Sequence, residues 1–392
     1  MRKMSKTLTH LSIIASLTVI STFLIWLPHI LALPNFWGLN FSNGFATIYR
    51  NFDGLEYVII AKTYYDPNLI AQLPQSLPAN YFASHFPGYS ILITAFASLL
   101  GYLKSMLFIS LLSTVIATWG FYFLIRNFKL TSHPLFLSLV FLVLPARWLI
   151  VHSVGSSEPT FIFLIITTIY FVMKFEQTGK LIHVIMAGIF GLLAQITRPP
   201  GILLFIALMF YVLWKFFLQI KVASFQKVWV NHLRYFPLIL IPLGLLGIFY
   251  LYGQTYGDFW AYFHSGDNIH LTFPPFQVFN KSQFWVGDIW LEDIVYIFIL
   301  GFLGGVLLWK QKLYPISFFV MTYLVASTMI AHRDVSRYLL PISPFVIIAF
   351  EKVLTSKEFK IILPIIALAT YLYAQNFILV NTAPIPNLEP FN

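Results

Sequence analysis

The chain has 392 residues, 59% of them hydrophobic, 18% aromatic and only 10% charged, with a mean hydropathy of +0.80. A water-soluble domain carries about 25% charged residues, so this composition excludes an ordinary soluble protein and points to a bilayer as solvent. The lack of cysteine excludes disulfides, thiolate catalysis and Cys-ligated metals. The net charge of +10 lies in short clusters between apolar runs, which reads as loops obeying the positive-inside rule rather than as a nucleic-acid surface.

The N-terminus, Met1-Arg2-Lys3-Met4-Ser5-Lys6, precedes an apolar run over 8–33. That run is longer than the roughly 7–15 apolar residues of a cleaved signal and has no small-residue cleavage site. It is expected to be a retained first span with a cytoplasmic N-terminus. Ten more runs follow at 105–125, 134–151, 160–173, 182–196, 202–220, 236–252, 294–309, 314–330, 338–350 and 361–380. A span needs roughly 20 mostly apolar residues. The expectation is an all-α polytopic membrane protein, one transmembrane domain over 1–392 with about 11 helices.

The run at 88–103 is assigned by charge. If it lies in the outer interface as a juxtamembrane helix, 16 of the 24 Lys and Arg fall on the cytoplasmic side. If it spans, every later loop flips and the bias reverses, against the positive-inside rule. The interfacial placement puts two long loops, 34–104 and 253–293, outside. No internal repeat is visible, and 384–387 reads as a short disordered end.

Ionisable residues gather at span ends and in loops. In Arg50-Asn51-Phe52-Asp53-Gly54-Leu55-Glu56-Tyr57, Asp53 and Glu56 are three apart and share a helical face. An N-cap role for Asp53 explains the spacing equally well. His85-Phe86-Pro87-Gly88-Tyr89-Ser90 reads as a turn back to the membrane, where His85 is either a site residue or a plain interfacial histidine. Ser153-Val154-Gly155-Ser156-Ser157-Glu158-Pro159 is either a capping turn with Ser156 or Ser157 as cap or a carboxylate site at Glu158. In Thr197-Arg198-Pro199-Pro200-Gly201, Arg198 either snorkels or binds a ligand. His332-Arg333-Asp334-Val335-Ser336-Arg337-Tyr338 suits a phosphate through forked hydrogen bonds, or holds an internal Arg–Asp pair. Taken together, carboxylates and arginines on one membrane face suit an enzyme acting on a lipid-linked anionic substrate.

These segments, in this order, resemble the GT-C superfamily of membrane glycosyltransferases. The likeness is greatest to the second mannosyltransferase of GPI-anchor synthesis (the PIG-V-like group) and its prokaryotic relatives. Asn51-Phe52-Asp53-Gly54-Leu55-Glu56-Tyr57 is similar to that family's W-D-G-x-x-Y, and Ile60-Ala61-Lys62-Thr63-Tyr64-Tyr65 to its I-A-x-x-x-Y. His85-Phe86-Pro87-Gly88-Tyr89-Ser90 resembles F-F-P-L-Y-P, Ser156-Ser157-Glu158-Pro159 resembles Y-[ST]-E-S, and Thr197-Arg198-Pro199-Pro200-Gly201 resembles T-R-x-x-G. Tyr256-Gly257-Asp258-Phe259-Trp260-Ala261-Tyr262-Phe263 is similar to G-D-x-x-A-F, and Arg337-Tyr338-Leu339-Leu340-Pro341 to R-Y-x-x-P. The match runs over 46–345. Phe52, His85 and Ser90 depart from the family's tryptophan, phenylalanine and proline.

The resemblance implies a GT-C-type fold with juxtamembrane helices in the first outer loop. It also implies a polyprenyl-phosphate sugar donor, a glycan, glycolipid or protein acceptor, and inverting transfer at the extracytoplasmic face of a plasma membrane or endoplasmic reticulum. Asp53 is then the base, with Glu56 and Glu158 as helpers. Arg198, Arg333 and Arg337, with His85 and His332, are candidates for the donor phosphate. Asp258, Asp267 and Tyr57 are candidates for the acceptor side. No cofactor is required; the carboxylates could hold Mg²⁺ or Mn²⁺, though nothing in the spacing demands a metal. A lipid-linked sugar flippase is the alternative, but transporters show repeats and midplane sites, whereas here the polar groups cluster at one face. A structural scaffold is the third reading, and it needs no aligned carboxylates and arginines.

Overall fold

The computed structural model describes residues 2–51, 53–266, 271–283, 292–385 and 387–392. Asp267, one of the expected acceptor-side residues, lies outside them, as does Phe52. Among the described residues the chain is helical throughout, with three isolated bridges and no strand. That is what a bilayer requires, since a helix satisfies every backbone polar group within one segment.

Among the described residues, seven helices are long and apolar enough to cross a membrane: Lys6–Ile30, Tyr102–Asn127, Glu158–Thr178, Gly201–Gln219, Phe236–Tyr256, Glu292–Lys310 and Lys357–Val380. Their outward side chains are apolar, such as Leu17, Ile20, Phe23 and Leu24 on the first and Ile299, Leu303 and Val306 on Glu292–Lys310. The protein is a multi-pass integral membrane protein. Four of the eleven expected runs form shorter elements. Leu181–Thr197 and Tyr314–Thr328 have 17 and 15 residues. The run at 134–151 breaks at Pro145 into Pro134–Val143 and Ala146–Val151. The run at 338–350 is interrupted around Pro341 and Pro344, giving Val335–Tyr338, Leu340–Ile342 and Ser343–Ala349. Each proline lacks the N–H that would continue the helix through it.

Gly88–Leu100 has 13 residues, about 20 Å of helix against a hydrocarbon core of about 30 Å. It stops at Gly101, whose φ of +76° and ψ of 162° lie where essentially only glycine goes. Gly101 also starts Tyr102–Asn127, so one residue turns a short helix into a long one.

The chain forms two compact units. The first comprises 1–163, 248–267 and 351–392, the second 164–247 and 268–350. In the first, Trp148 stacks on Phe141 at 5.1 Å. Buried polar side chains pair across its helices: Thr22 Oγ1 with His152 Nδ1 at 3.3 Å, and His29 Nε2 with Gln375 Oε1 at 3.2 Å. Pairing of this kind keeps polar groups satisfied where water is absent. In the second unit, Trp214, Trp309 and Tyr314 form an aromatic cluster, with ring separations of 4.6 Å for Trp214–Tyr314 and 5.0 Å for Trp309–Tyr314. Ser317 Oγ donates to the Gly305 carbonyl at 2.8 Å.

Candidate active site

The first loop carries two helices, Gly54–Thr63 and Gly88–Leu100. Ser90 Oγ donates to the Tyr57 carbonyl at 2.8 Å, and Thr94 Oγ1 to the Ala61 carbonyl at 3.0 Å. These bonds lock the pair together. Asp53 sits at the start of Gly54–Thr63 and Glu56 in its first turn, so the i, i+3 spacing does place both carboxylates on one face. Asp53 makes no side-chain capping bond. The N-cap account of this residue is therefore not what its carboxylate does.

Two contacts hold that helix start in place. Just upstream, the buried Asn51 donates from Nδ2 to the Ile378 carbonyl at 2.7 Å, at the end of the last helix. On the other side Gly54 packs on Gly155. A Cβ added at Gly54 would stand 2.9 Å from both the Gly155 carbonyl oxygen and Met106 Sδ. Only a glycine lets the backbone come this close.

His85 closes the cluster from the end of the turn over Ala79–Ser84. Its Nε2 is 2.9 Å from Glu56 Oε2 and 3.8 Å from Asp53 Oδ2. Its Nδ1 is 2.8 Å from Ser84 Oγ, and its carbonyl accepts from the Tyr65 hydroxyl at 2.6 Å. The ring packs edge-on to Tyr57, with centroids 5.2 Å apart. Tyr81 OH donates to Glu56 Oε1 at 3.4 Å. Burial opposes protonation of His85, but the charge of Glu56 and the contacts with Asp53 and Glu56 outweigh it and hold the imidazole pKa well above its ordinary value. The Asp53 side chain is 35% exposed against 19% for Glu56, so Asp53 is the more accessible carboxylate.

Asp53, Glu56 and His85 each offer one ligand atom, all within 4.8 Å of one another. Two carboxylate oxygens and an imidazole nitrogen are a donor set that suits a divalent cation of the Mn²⁺ or Zn²⁺ type. The sequence reading placed His85 with the phosphate-binding arginines; the structure places it against the carboxylates.

Behind the cluster, Ser157 Oγ donates to Tyr57 OH at 2.9 Å, and Ser156 Oγ donates to Glu158 Oε2. Glu158 is buried, at 1% exposure, at the start of Glu158–Thr178. The two serines thus spend their hydroxyls on Tyr57 and Glu158. The second long loop reaches the same unit through Tyr262, whose ring lies 5.6 Å from that of Phe86. Asp258 is engaged within its own loop: Oδ1 accepts from Trp260 N at 2.9 Å, and Oδ2 is 2.6 Å from His264 Nδ1. That contact depresses the Asp258 pKa below the usual carboxylate value.

Arg198, His332, Arg333 and Arg337 belong to the second unit. Arg198 is half-buried and extended, as the residue before a proline tends to be. Arg337 is buried in Val335–Tyr338 and Arg333 is exposed. His332 Nδ1 accepts from the Asp334 amide at 3.0 Å.

Among solved structures, the chain is similar to ArnT from Cupriavidus metallidurans bound to undecaprenyl phosphate, with a TM-score of 0.56 and 13% identity over 90% of this chain. It is likewise similar to the archaeal oligosaccharyltransferase AglB from Archaeoglobus fulgidus, in complex with an inhibitory peptide and a dolichol-phosphate, with a TM-score of 0.56 and 15% identity over 97% of this chain. The fold is of the GT-C type. The chain spans 63% of the length of ArnT and 57% of that of AglB. No family model matches the sequence, and no curated protein matches it.

Proposed function

We propose that the protein is an inverting glycosyltransferase. It moves a hexose, mannose by the sequence resemblance, from a polyprenyl-phosphate donor to a hydroxyl of a lipid-linked or surface glycan at the extracytoplasmic face. The observation that carries this reading is the accessible Asp53, held at a helix start beside the Glu56–His85 pair on a GT-C-type fold. Two proteins of similar fold hold undecaprenyl phosphate and dolichol-phosphate, which supports a polyprenyl phosphate as the carrier.

In this mechanism Asp53 takes the proton of the acceptor hydroxyl as its oxygen attacks the anomeric carbon. The carbon–oxygen bond to phosphate breaks, and polyprenyl phosphate leaves with the bonding pair. A phosphate is already a good leaving group, so alignment and one base are the main requirements. Glu56 and Glu158 are helpers that orient the acceptor or the base. By the order of loops along the chain, Arg198, Arg333 and Arg337 are assigned to the donor phosphate, with Asp258 and Tyr57 on the acceptor side. Base catalysis by Asp53 requires no cofactor. A divalent cation, if bound, would be held by Asp53, Glu56 and His85 and would supply Lewis-acid stabilisation of developing negative charge.

The test is sugar release from a polyprenyl-phosphate hexose by the purified protein and by Asp53→Asn. Loss of turnover with retained donor binding is expected. Full turnover in the variant removes Asp53 as base, and transbilayer movement of the lipid without sugar release makes the protein a flippase.

A further inference from the structure

At the far end of the first unit lies a second candidate site, a largely apolar cavity of about 650 Å³ with basic side chains among its lining. Its walls are the start of Lys6–Ile30, the end of Tyr102–Asn127 and the start of Pro134–Val143. Lys6, His10, Arg126 and His133 provide its polar side, and Tyr122 and Phe136 line it with aromatic surface. No aspartate or glutamate lines it among the described residues. One wall is fixed: His10 Nδ1 is 2.9 Å from Tyr122 OH, and Trp119 Nε1 donates to the Leu11 carbonyl at 3.0 Å. Lys360 lies beside one lining residue, its Nζ 5.1 Å from the Phe136 ring centroid.

The helix Tyr102–Asn127 sets the level of this cavity. Met106, near its start, touches the Gly54–Gly155 contact of the Asp53 cluster, and Arg126 is in its last turn. Twenty residues separate them, about 30 Å of helix, which is the thickness of the hydrocarbon core. The basic cavity and the carboxylate cluster therefore lie near opposite ends of this span.

We propose that this cavity binds the anionic headgroup of a phospholipid. The chemistry is complementary at both ends. Lys6, Arg126 and two imidazoles meet a phosphate through charge-assisted hydrogen bonds, while the apolar wall takes the glycerol and upper acyl carbons. A basic pocket between helices at the headgroup level is where such recognition occurs. Topogenic charge alone explains lysines and arginines on this face, but it does not require them to ring a cavity of ligand size. The inference does not depend on the glycosyl-transfer reading.

The test uses the full chain in phosphatidylcholine mixed micelles, titrated with a fluorescent phosphatidylglycerol, with inorganic phosphate titrated separately. Saturable binding of phosphatidylglycerol is expected, with inorganic phosphate at least tenfold weaker. The double variant Lys6→Gln/Arg126→Gln should bind roughly tenfold or more weakly, since each cation near the surface contributes about fivefold. Lys6→Arg/Arg126→Lys should bind as wild type, as should Lys310→Gln/Lys312→Gln, which removes two cations elsewhere. If the glutamine pair fails to fold, Leu139→Trp fills the cavity with its charges intact and should also abolish binding. Equal binding by the glutamine pair or by Leu139→Trp overturns the proposal, as does equal loss in the Lys310/Lys312 control. Inorganic phosphate binding as tightly as the lipid overturns it in favour of a soluble anion.

Discussion

Two clusters in this molecule use the same chemistry to opposite effect. In the second unit, Glu176 has each oxygen occupied, Oε1 by the Tyr235 hydroxyl and Oε2 by Lys215 Nζ, while Lys215 also donates to Tyr235 OH at 2.9 Å. One carboxylate meets one cation and the set is charge-balanced. In the first unit, two carboxylates face one imidazole, with Glu56 Oε2 at 2.9 Å and Asp53 Oδ2 at 3.8 Å from His85 Nε2. Glu56 holds the closer contact with the ring, and Asp53 keeps the greater exposure. The Glu176 cluster has both carboxylate oxygens on protein partners; the Asp53 cluster gathers three ligand-type side chains within 4.8 Å and leaves one carboxylate 35% exposed.

The largest expected effect breaks that comparison directly. Asp53→Asn should lower sugar transfer by about 10²–10⁴-fold, the usual contribution of a general base, with little loss of thermal stability. Glu176→Gln should do the reverse. Transfer stays near wild type while the unfolding free energy falls by about 1–3 kcal/mol, because Lys215 loses its charged partner. A Glu176 variant as inactive as Asp53→Asn would erase the distinction between the two clusters.

A smaller effect sharpens it. In Gly54→Ala the new Cβ meets the Gly155 carbonyl and Met106 Sδ at 2.9 Å, so the helix start must move away. Overpacking of this kind costs about 1–3 kcal/mol, and a displacement near 1 Å costs up to about 10²-fold in rate. The donor binding constant should change less than turnover. Wild-type turnover in Gly54→Ala would mean that the position of Asp53 is not set by this contact.

The parts legible in the sequence are those encoded locally. Asp53 and Glu56 are three residues apart, so helical geometry alone puts them together. The apolar runs give the membrane class, but the runs at 134–151 and 338–350 read as unbroken spans, and only the structure shows them interrupted at Pro145 and around Pro341. His85 joins the cluster from the end of a different element, and no local spacing announces that; as an isolated histidine at a turn it reads equally well as a phosphate ligand. Ser156 and Ser157 look like caps because they precede a helix, yet their hydroxyls go to Glu158 and, across the fold, to Tyr57. Tyr81 and Gly155 carry no sequence signal at all, because their roles are tertiary contacts. Lys6 and Arg126 are visible as topogenic charges, while the cavity they share depends on the packing of three helices.

The smallest expected effect concerns the charge state of His85. Its pKa is raised by Glu56 and Asp53 against the opposing pull of burial, so the folded state binds this proton more tightly than the unfolded chain does. The resulting stabilisation is fully present below the ordinary imidazole pKa of about 6.5 and is lost as pH rises through the raised folded-state value. The thermal-stability gap between wild type and His85→Gln should therefore be widest at mildly acidic pH, at about 1 kcal/mol, and should close towards alkaline pH. Protonated imidazole cannot ligate a metal, so any Mn²⁺ binding at this cluster must displace that proton and strengthen as pH rises. A stability gap that widens with pH would mean that His85 is neutral in the folded state.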